Sequence, residues 1–201
     1  MEIFILILFF GGIIGGIVLL IRYAKRAGDR KVQWYQSWGR ELNLTHESNK
    51  YMLTKLNTLY GPMEGETITI YEKIVGSGKN QTLQTNIVFE PNPFDFEFSI
   101  AREGFFSKAG KLFGGTDIEF GDEEFDKKFL LKSKDEAKFR SLMDFRAQEE
   151  LRRIEKKLAG TISSTPTNFN YYFMGGFTKE EKIKEFNQVL DFMRMLIRNK
   201  R

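Results

Sequence analysis

Glu66–Val75 (ETITIYEKIV), Gly76–Asn80 (GSGKN) and Gln81–Glu90 (QTLQTNIVFE) form the stretch on which the fold turns. In the first run Ile68 and Ile70 share a face that Glu72 or Ile74 continues; in the last, Leu83, Thr85, Ile87 and Phe89 fall on one side. Alternation at period two belongs to a strand with one buried face, and two such runs around a compact glycine-containing turn read as a β-hairpin. The flanking sequence then decides how far the sheet extends.

Downstream, Pro91-Asn92-Pro93 stops the second strand, and Asp95–Arg102 (DFEFSIAR) alternates again with Phe96, Phe98 and Ile100 facing inward. Phe105–Phe113, Thr116–Phe120 and Phe125–Lys132 are further extended pieces, while Tyr51–Tyr60 predicts a first strand ended by Gly61-Pro62. Six or seven strands with short turns argue for an antiparallel meander rather than β-α-β units. At Ser133 the period changes. Ser133 with Glu136 is a capping box opening a helix, with or without a kink, to about Leu158, its apolar stripe running through Leu142, Met143, Ala147, Leu151 and Ile154. Thr161–Ser164 and Asn168–Phe173 predict a small hairpin about Pro166. Thr178 with Glu181 is a second capping box, for a last helix through Ile183, Phe186, Leu190, Met193 and Ile197 to about Arg198.

Upstream lies Ile3–Ile21 (IFILILFFGGIIGGIVLLI), which has no charged or polar side chain. As a helix it is about 28 Å long, against a hydrocarbon core of roughly 30 Å. A cleaved signal peptide needs a basic start, a shorter apolar stretch and a small-residue cleavage site, whereas here the basic residues follow the run. The expectation is a retained transmembrane anchor over 1–22, with the N-terminus outside and the rest in the cytoplasm by the positive-inside rule. Gly11 with Gly15, and Gly12 with Gly16, make two overlapping G-x-x-x-G pairs, a pattern that fits helix association as a homodimer or with a membrane protein partner. A basic juxtamembrane segment and a short amphipathic helix carrying Trp34, Tyr35, Trp38 and Leu42 take up 23–46, and an α+β domain takes up 47–201. The fold class is thus α+β: a transmembrane helix, an antiparallel sheet and C-terminal helices. The count of about seven strands before a helix is similar to a pleckstrin-homology half barrel.

Charge narrows the partners. The chain carries a net +4, but residues 22–31 alone hold Arg22, Lys25, Arg26, Arg30 and Lys31 against Asp29. Allowing for Glu2, everything after residue 31 is within one unit of neutral. The basicity is therefore a collar suited to the anionic inner leaflet of a lipid bilayer, at about 1 kcal/mol per basic residue near the surface, and nucleic-acid binding loses its support. With no cysteine there is no disulfide or thiolate metal site, and His46, the single histidine, cannot assemble a histidine metal cluster and reads as an exposed loop residue.

Two motifs invite chemistry without meeting its requirements. Gly76-Ser-Gly-Lys79 lacks the upstream glycine of a phosphate loop and has Asn80 where the magnesium-binding hydroxyl should be, so it reads as a turn. Asp117, Glu119, Asp122, Glu123, Glu124 and Asp126 form a dense acidic run without EF-hand spacing. No catalytic residue, metal ligand or cofactor is assigned.

The string Gly121-Asp-Glu-Glu-Phe-Asp-Lys-Lys-Phe129, with Ile100-Ala-Arg-Glu103 and the Gly61–Gly65 turn, resembles bacterial single-span membrane-anchored proteins that carry a GD-x-x-FD-x-x-F segment before a helix, over about residues 55–160. The resemblance implies a bacterial cytoplasmic-membrane protein and supplies no catalytic residue. The function expected is a membrane-tethered module binding a protein partner or lipid headgroups. The alternative is a membrane-anchored hydrolase or transferase using dispersed carboxylates, which a deep pocket gathering three or more of Asp95, Arg102, Glu103, Asp117 and Asp122 would favour.

Overall fold

The computed structural model describes residues 2–52, 54–104, 116–177 and 179–200, with side chains from residue 12 onward. The chain begins with a single helix, α1 (Glu2–Leu42), of 41 residues. The apolar run, the basic collar and the expected amphipathic helix are thus one rod about 60 Å long. It ends at Asn43, whose φ of 56° places it in the left-handed region. The Asn43 N–H donates to the Arg40 carbonyl at 3.2 Å and the Leu44 N–H to the Gly39 carbonyl at 2.7 Å. These are the paired bonds of a Schellman ending, with buried Leu44 as its apolar cover.

Among the described residues nine strands follow in one antiparallel sheet: β1 (Thr45–Tyr51), β2 (Thr54–Met63), β3 (Glu66–Val75), β4 (Thr82–Glu90), β5 (Phe98–Arg102), β6 (Thr116–Asp117), β7 (Phe129–Ser133), β8 (Thr161–Ser164) and β9 (Phe169–Met174). The spatial order is β1-β2-β3-β4-β9-β8-β5-β7-β6. The expected meander therefore runs only to β4; the late β8–β9 hairpin then inserts before β5. Seven strands precede the helices of residues 136–154 and the small hairpin follows them, as the sequence leads one to expect, but that hairpin joins the same sheet instead of standing apart from it. The β3–β4 hairpin has the expected register, Ile70 facing Ile87 and Ile68 facing Phe89.

What joins the sheet is a row of apolar side chains crossing it at right angles to the strands. Leu59, Ile70, Ile87, Tyr171, Ile162, Ile100 and Leu131 pair successively from β2 to β7, and none is more than 1 % exposed. Adjacent residues on one face of a ladder are the unit of sheet stabilisation, and this row carries that unit across the inserted hairpin without a break.

Helices cover this face. After the single turn α2 (Glu123–Asp126), the expected long helix comes in two parts, α3 (Glu136–Leu142) and α4 (Phe145–Ile154), because Asp144 caps a new start by accepting the Ala147 N–H. Asp135, not Ser133, caps α3; the Ser133 hydroxyl instead accepts the Asp135 N–H. The last helix, α5 (Glu180–Asn199), has Lys179 at its cap position, and Thr178 of the second expected capping box lies outside the described residues. So does the expected strand Phe105–Phe113. Phe186 of α5 packs on Tyr171, and Phe139 of α3 on Phe98, so both helices rest on the side that carries the apolar row.

One close approach fixes where the chain leaves α4 for β8. A Cβ on Gly160 would stand 1.9 Å from the Tyr172 carbonyl oxygen, whereas one on Gly28 in α1 would meet nothing within 4 Å. Gly160→Ala should lower stability by about 2 to 3 kcal/mol, and Gly28→Ala should be neutral or raise it by up to about 1 kcal/mol. Chemical denaturation of the two variants checks both signs.

Candidate functional site

The junction between α1 and the sheet is the most constrained part of the molecule. Glu72 lies on the buried face of β3 next to Ile70, where its side chain is fully enclosed. A carboxylate there must be paired to persist. Lys31 of α1 meets it at 2.7 Å with only 12 % of its own side chain exposed. The Asn57 backbone N–H and side-chain amide donate to the other carboxylate oxygen, each at 3.1 Å. The Asn57 side-chain oxygen, Oδ1, lies 3.1 Å from His46 Nε2 on β1. His46 is thus a strand residue tied into this network, not the exposed loop histidine expected. Burial first, and then the Glu72 charge, push the Tyr35 hydroxyl well above its ordinary pKa. One turn further along α1, the Trp38 indole donates to Asn187 of α5 at 2.5 Å and packs edge-on against Phe177 and Phe186.

Above this junction the helix stands clear. Ile13, Ile14, Ile17, Val18, Leu19, Leu20 and Ile21 are all exposed. Among the described residues no helix is long and apolar enough to cross a membrane; of the apolar run Ile3–Ile21, Gly12–Ile21 is the part with described side chains. Gly12, Gly15 and Gly16 each have open space where a Cβ would be, and Gly11 falls outside the residues with described side chains.

The collar divides. Arg22, Arg26 and Arg30, spaced by four, line one exposed face of α1. Lys25 instead borders a cleft between α1 and the β1–β2 turn, and Lys31 turns into the domain to hold Glu72. This cleft, about 610 Å³, has Leu20, Ile21 and Tyr23 on one wall and Met52 and Lys50 on the other. The ion pair from Lys55 to Asp29, at 2.9 Å, joins the turn's strand to the helix at the same place.

The dispersed acids of the enzymatic alternative do not converge. Asp95 pairs with Lys138 at 2.7 Å, Asp117 with Lys132 at 2.9 Å, and Asp122 with Arg152. Arg102 faces Glu155 at 3.6 Å. The Phe125 backbone N–H and Arg152 hold the Asp122 carboxyl below its usual range. In the GD-x-x-FD-x-x-F segment, Asp122 accepts the Phe125 N–H, Asp126 accepts those of Phe120 and Gly121, and Phe125 is buried. Those letters thus shape a turn. Gly78–Asn80 of the phosphate-loop look-alike is a short 3-10 turn between β3 and β4. Among the described residues no three acidic or histidine side chains are placed to hold a metal ion.

A second ionic cluster escaped the sequence. Glu64, in the β2–β3 turn, accepts from Arg198 at 2.5 and 2.9 Å and from Arg194 at 2.9 Å. The hydrogen bond from Arg198 leads in holding its carboxyl down at about 2. Arg194 and Arg198 also border a groove of about 400 Å³ between α4 and α5. The four-residue spacing of these arginines was visible; the acid they clamp, 130 residues away from Arg194, was not.

No family model and no curated protein matches the chain. Among solved structures, it is similar to the crystal structure of the mycobacterial trehalose monomycolate transport factor A, TtfA, at 12 % identity and a TM-score of 0.46, over 81 % of this chain and 94 % of that one. At that distance nothing of TtfA's role passes to this chain.

Lys31→Met, which strands the buried Glu72 carboxylate, should cost about 3 kcal/mol, and Lys31→Met with Glu72→Gln should recover most of that loss; paired denaturation curves give both numbers. Glu64→Gln should cost up to about 1 kcal/mol at neutral pH. Because Glu64 titrates lower in the folded chain than its ordinary 4.5, its contribution is complete above that value and fades as pH falls toward 2. The stability gap between wild type and Glu64→Gln should close over that window.

Proposed function

We propose that this chain is a membrane-tethered interaction module, with the N-terminal half of α1 in a bacterial cytoplasmic membrane and the sheet domain on the cytoplasmic side, where it meets anionic lipid headgroups or the cytoplasmic part of a protein partner. The observation that carries the reading is the contrast along one helix. Seven large apolar side chains between Ile13 and Ile21 are exposed, while Tyr35 and Trp38 of the same helix are buried in the domain core. Leaving seven such side chains in water forgoes on the order of 10 kcal/mol, and a helix apolar all round belongs in lipid or among other helices. Ile3–Phe10 continue the apolar sequence toward the N-terminus, which brings the run to the length of a span. Arg22, Arg26 and Arg30 then fall immediately after it, where positive charge fixes orientation.

The spacing follows from the helix. From Ile21 to Trp38 is about 26 Å of α-helix, so the domain hangs close beneath the headgroups, within reach of the inner leaflet and of partners beside it. Fractionation of cells expressing the full chain should leave it in the membrane pellet after alkaline extraction. The variant Ile13→Asp/Ile17→Asp/Leu20→Asp should be released, and Arg22→Glu/Arg26→Glu/Arg30→Glu should weaken flotation with vesicles containing phosphatidylglycerol but not with phosphatidylcholine vesicles. Release of the wild type by alkaline extraction would sink the reading.

A further inference from the structure

The cleft between α1 and the β1–β2 turn has a built character that the exposed helix above it lacks. Its helical wall narrows in side-chain size along one face: Leu20, Ala24 and Gly28 follow one another at intervals of four residues, and Gly28 leaves open space where a Cβ would project. A recess therefore opens just below the apolar run. The opposite wall is the turn after Tyr51, whose residue Met52 adopts a φ of 50° and stays 73 % exposed. A large apolar side chain in the left-handed region, outside any packing, is an unusual element for a soluble surface. At the bottom the recess is closed by the Lys55–Asp29 ion pair, which also neutralises Lys55. Two cations remain at the rim: Lys25 from the helix and Lys50 from β1, both without a charged partner among the described residues. The volume, about 610 Å³, falls in the range of roughly 300 to 1,000 Å³ that takes a small molecule, and the lining is mainly apolar with a few placed polar groups, as such sites are.

We infer that this cleft holds one anionic phospholipid of the inner leaflet, its acyl chains following Leu20 and Ile21 back into the bilayer, its glycerol region over Ala24 and Gly28 with Met52 against it, and its phosphate between Lys25 and Lys50. The inference rests on the membrane-tethered reading, which places Leu20 and Ile21 at the edge of the hydrocarbon. It goes beyond that reading by naming a single site with one occupant. Charge selects the occupant, since a zwitterionic headgroup brings an ammonium to a rim that already carries two. Apolar continuity selects a lipid over a free phosphate, which would leave the walls formed by Leu20, Ile21, Tyr23 and Met52 in water. The Arg22, Arg26 and Arg30 face plays a different part: it attracts anionic lipids collectively and encloses none of them.

Native mass spectrometry of the full chain in detergent, with phosphatidylglycerol added, tests the site. Retention should saturate at one phosphatidylglycerol per chain, with phosphatidylcholine retained at least tenfold less. Lys25→Glu/Lys50→Glu should lower retention tenfold or more, and so should Gly28→Leu, which fills the recess with a residue that suits a helix. Arg22→Glu/Arg26→Glu/Arg30→Glu should keep the bound lipid, and millimolar inorganic phosphate should not displace it. Retention without saturation at one, equal retention by the Lys25→Glu/Lys50→Glu and Gly28→Leu variants, or displacement by phosphate would each overturn the site. Vesicle flotation of the same proteins separates the two levels: variants that still float but no longer retain lipid support the cleft, and a wild type that does not float removes the tether and the cleft together.

Discussion

A carboxylate has been placed where an aliphatic side chain would be expected, on the inner face of β3 two residues from Ile70, and the molecule is arranged around keeping it satisfied. Glu72 takes two donors from Asn57 and one cation from Lys31. The cation comes from the first helix and the amides from the second strand, so the ion pair is also a register mark: α1 must lie along the sheet at one height and one rotation for Lys31 to arrive. Apolar packing alone tolerates some sliding of a helix on a sheet, whereas a stranded buried charge does not. Trp38 and its bond to Asn187 pin the same helix to α5 about two turns further on. Between them, these contacts convert the end of a long helix into a structural member of the domain.

The parts of this architecture that were legible in the sequence share one property: their pattern is local. The β3–β4 hairpin declared itself through Ile68, Ile70, Ile87 and Phe89, and α5 through Ile183, Phe186, Leu190, Met193 and Ile197, because each repeats the period of its own backbone. Insertion of β8–β9 between β4 and β5 was not legible. Four residues such as Thr161–Ser164 show which way their side chains alternate but not whose edge they complete; that choice is made by Tyr171 and Ile162 filling the middle of the seven-residue row. Helix boundaries were misread for a related reason. Several side chains offer themselves as caps around residues 133–144, and Asp135 and Asp144 prevail over Ser133 through contacts that spacing alone does not rank.

The candidate site shows the same division. A basic collar could be counted from letters, but its partition among an outward arginine face, a cleft-side lysine and a lysine spent on Glu72 depends on rotation about the helix axis. Rotation is fixed by the long-range ion pair, and nothing near residues 22–31 announces it. His46 is a parallel case: alone in the sequence, it has no chemistry to suggest, and only the pairing of β1 with β2 brings it to Asn57.

The unbroken course of α1 has a mechanical meaning. A tether joined to its domain by a flexible linker lets the domain tumble beneath the bilayer, and whatever happens to the tether is lost in the slack. Here the helix runs from its apolar end to its Schellman stop with no proline and no described break, and its last three turns are locked into the core. Tilting such a rod by ten degrees swings a point 26 Å down its axis by about 5 Å. The sheet therefore takes its orientation from the angle at which the upper helix stands, and on the proposed membrane-tethered reading bilayer thickness or a neighbouring helix would set where the sheet is aimed.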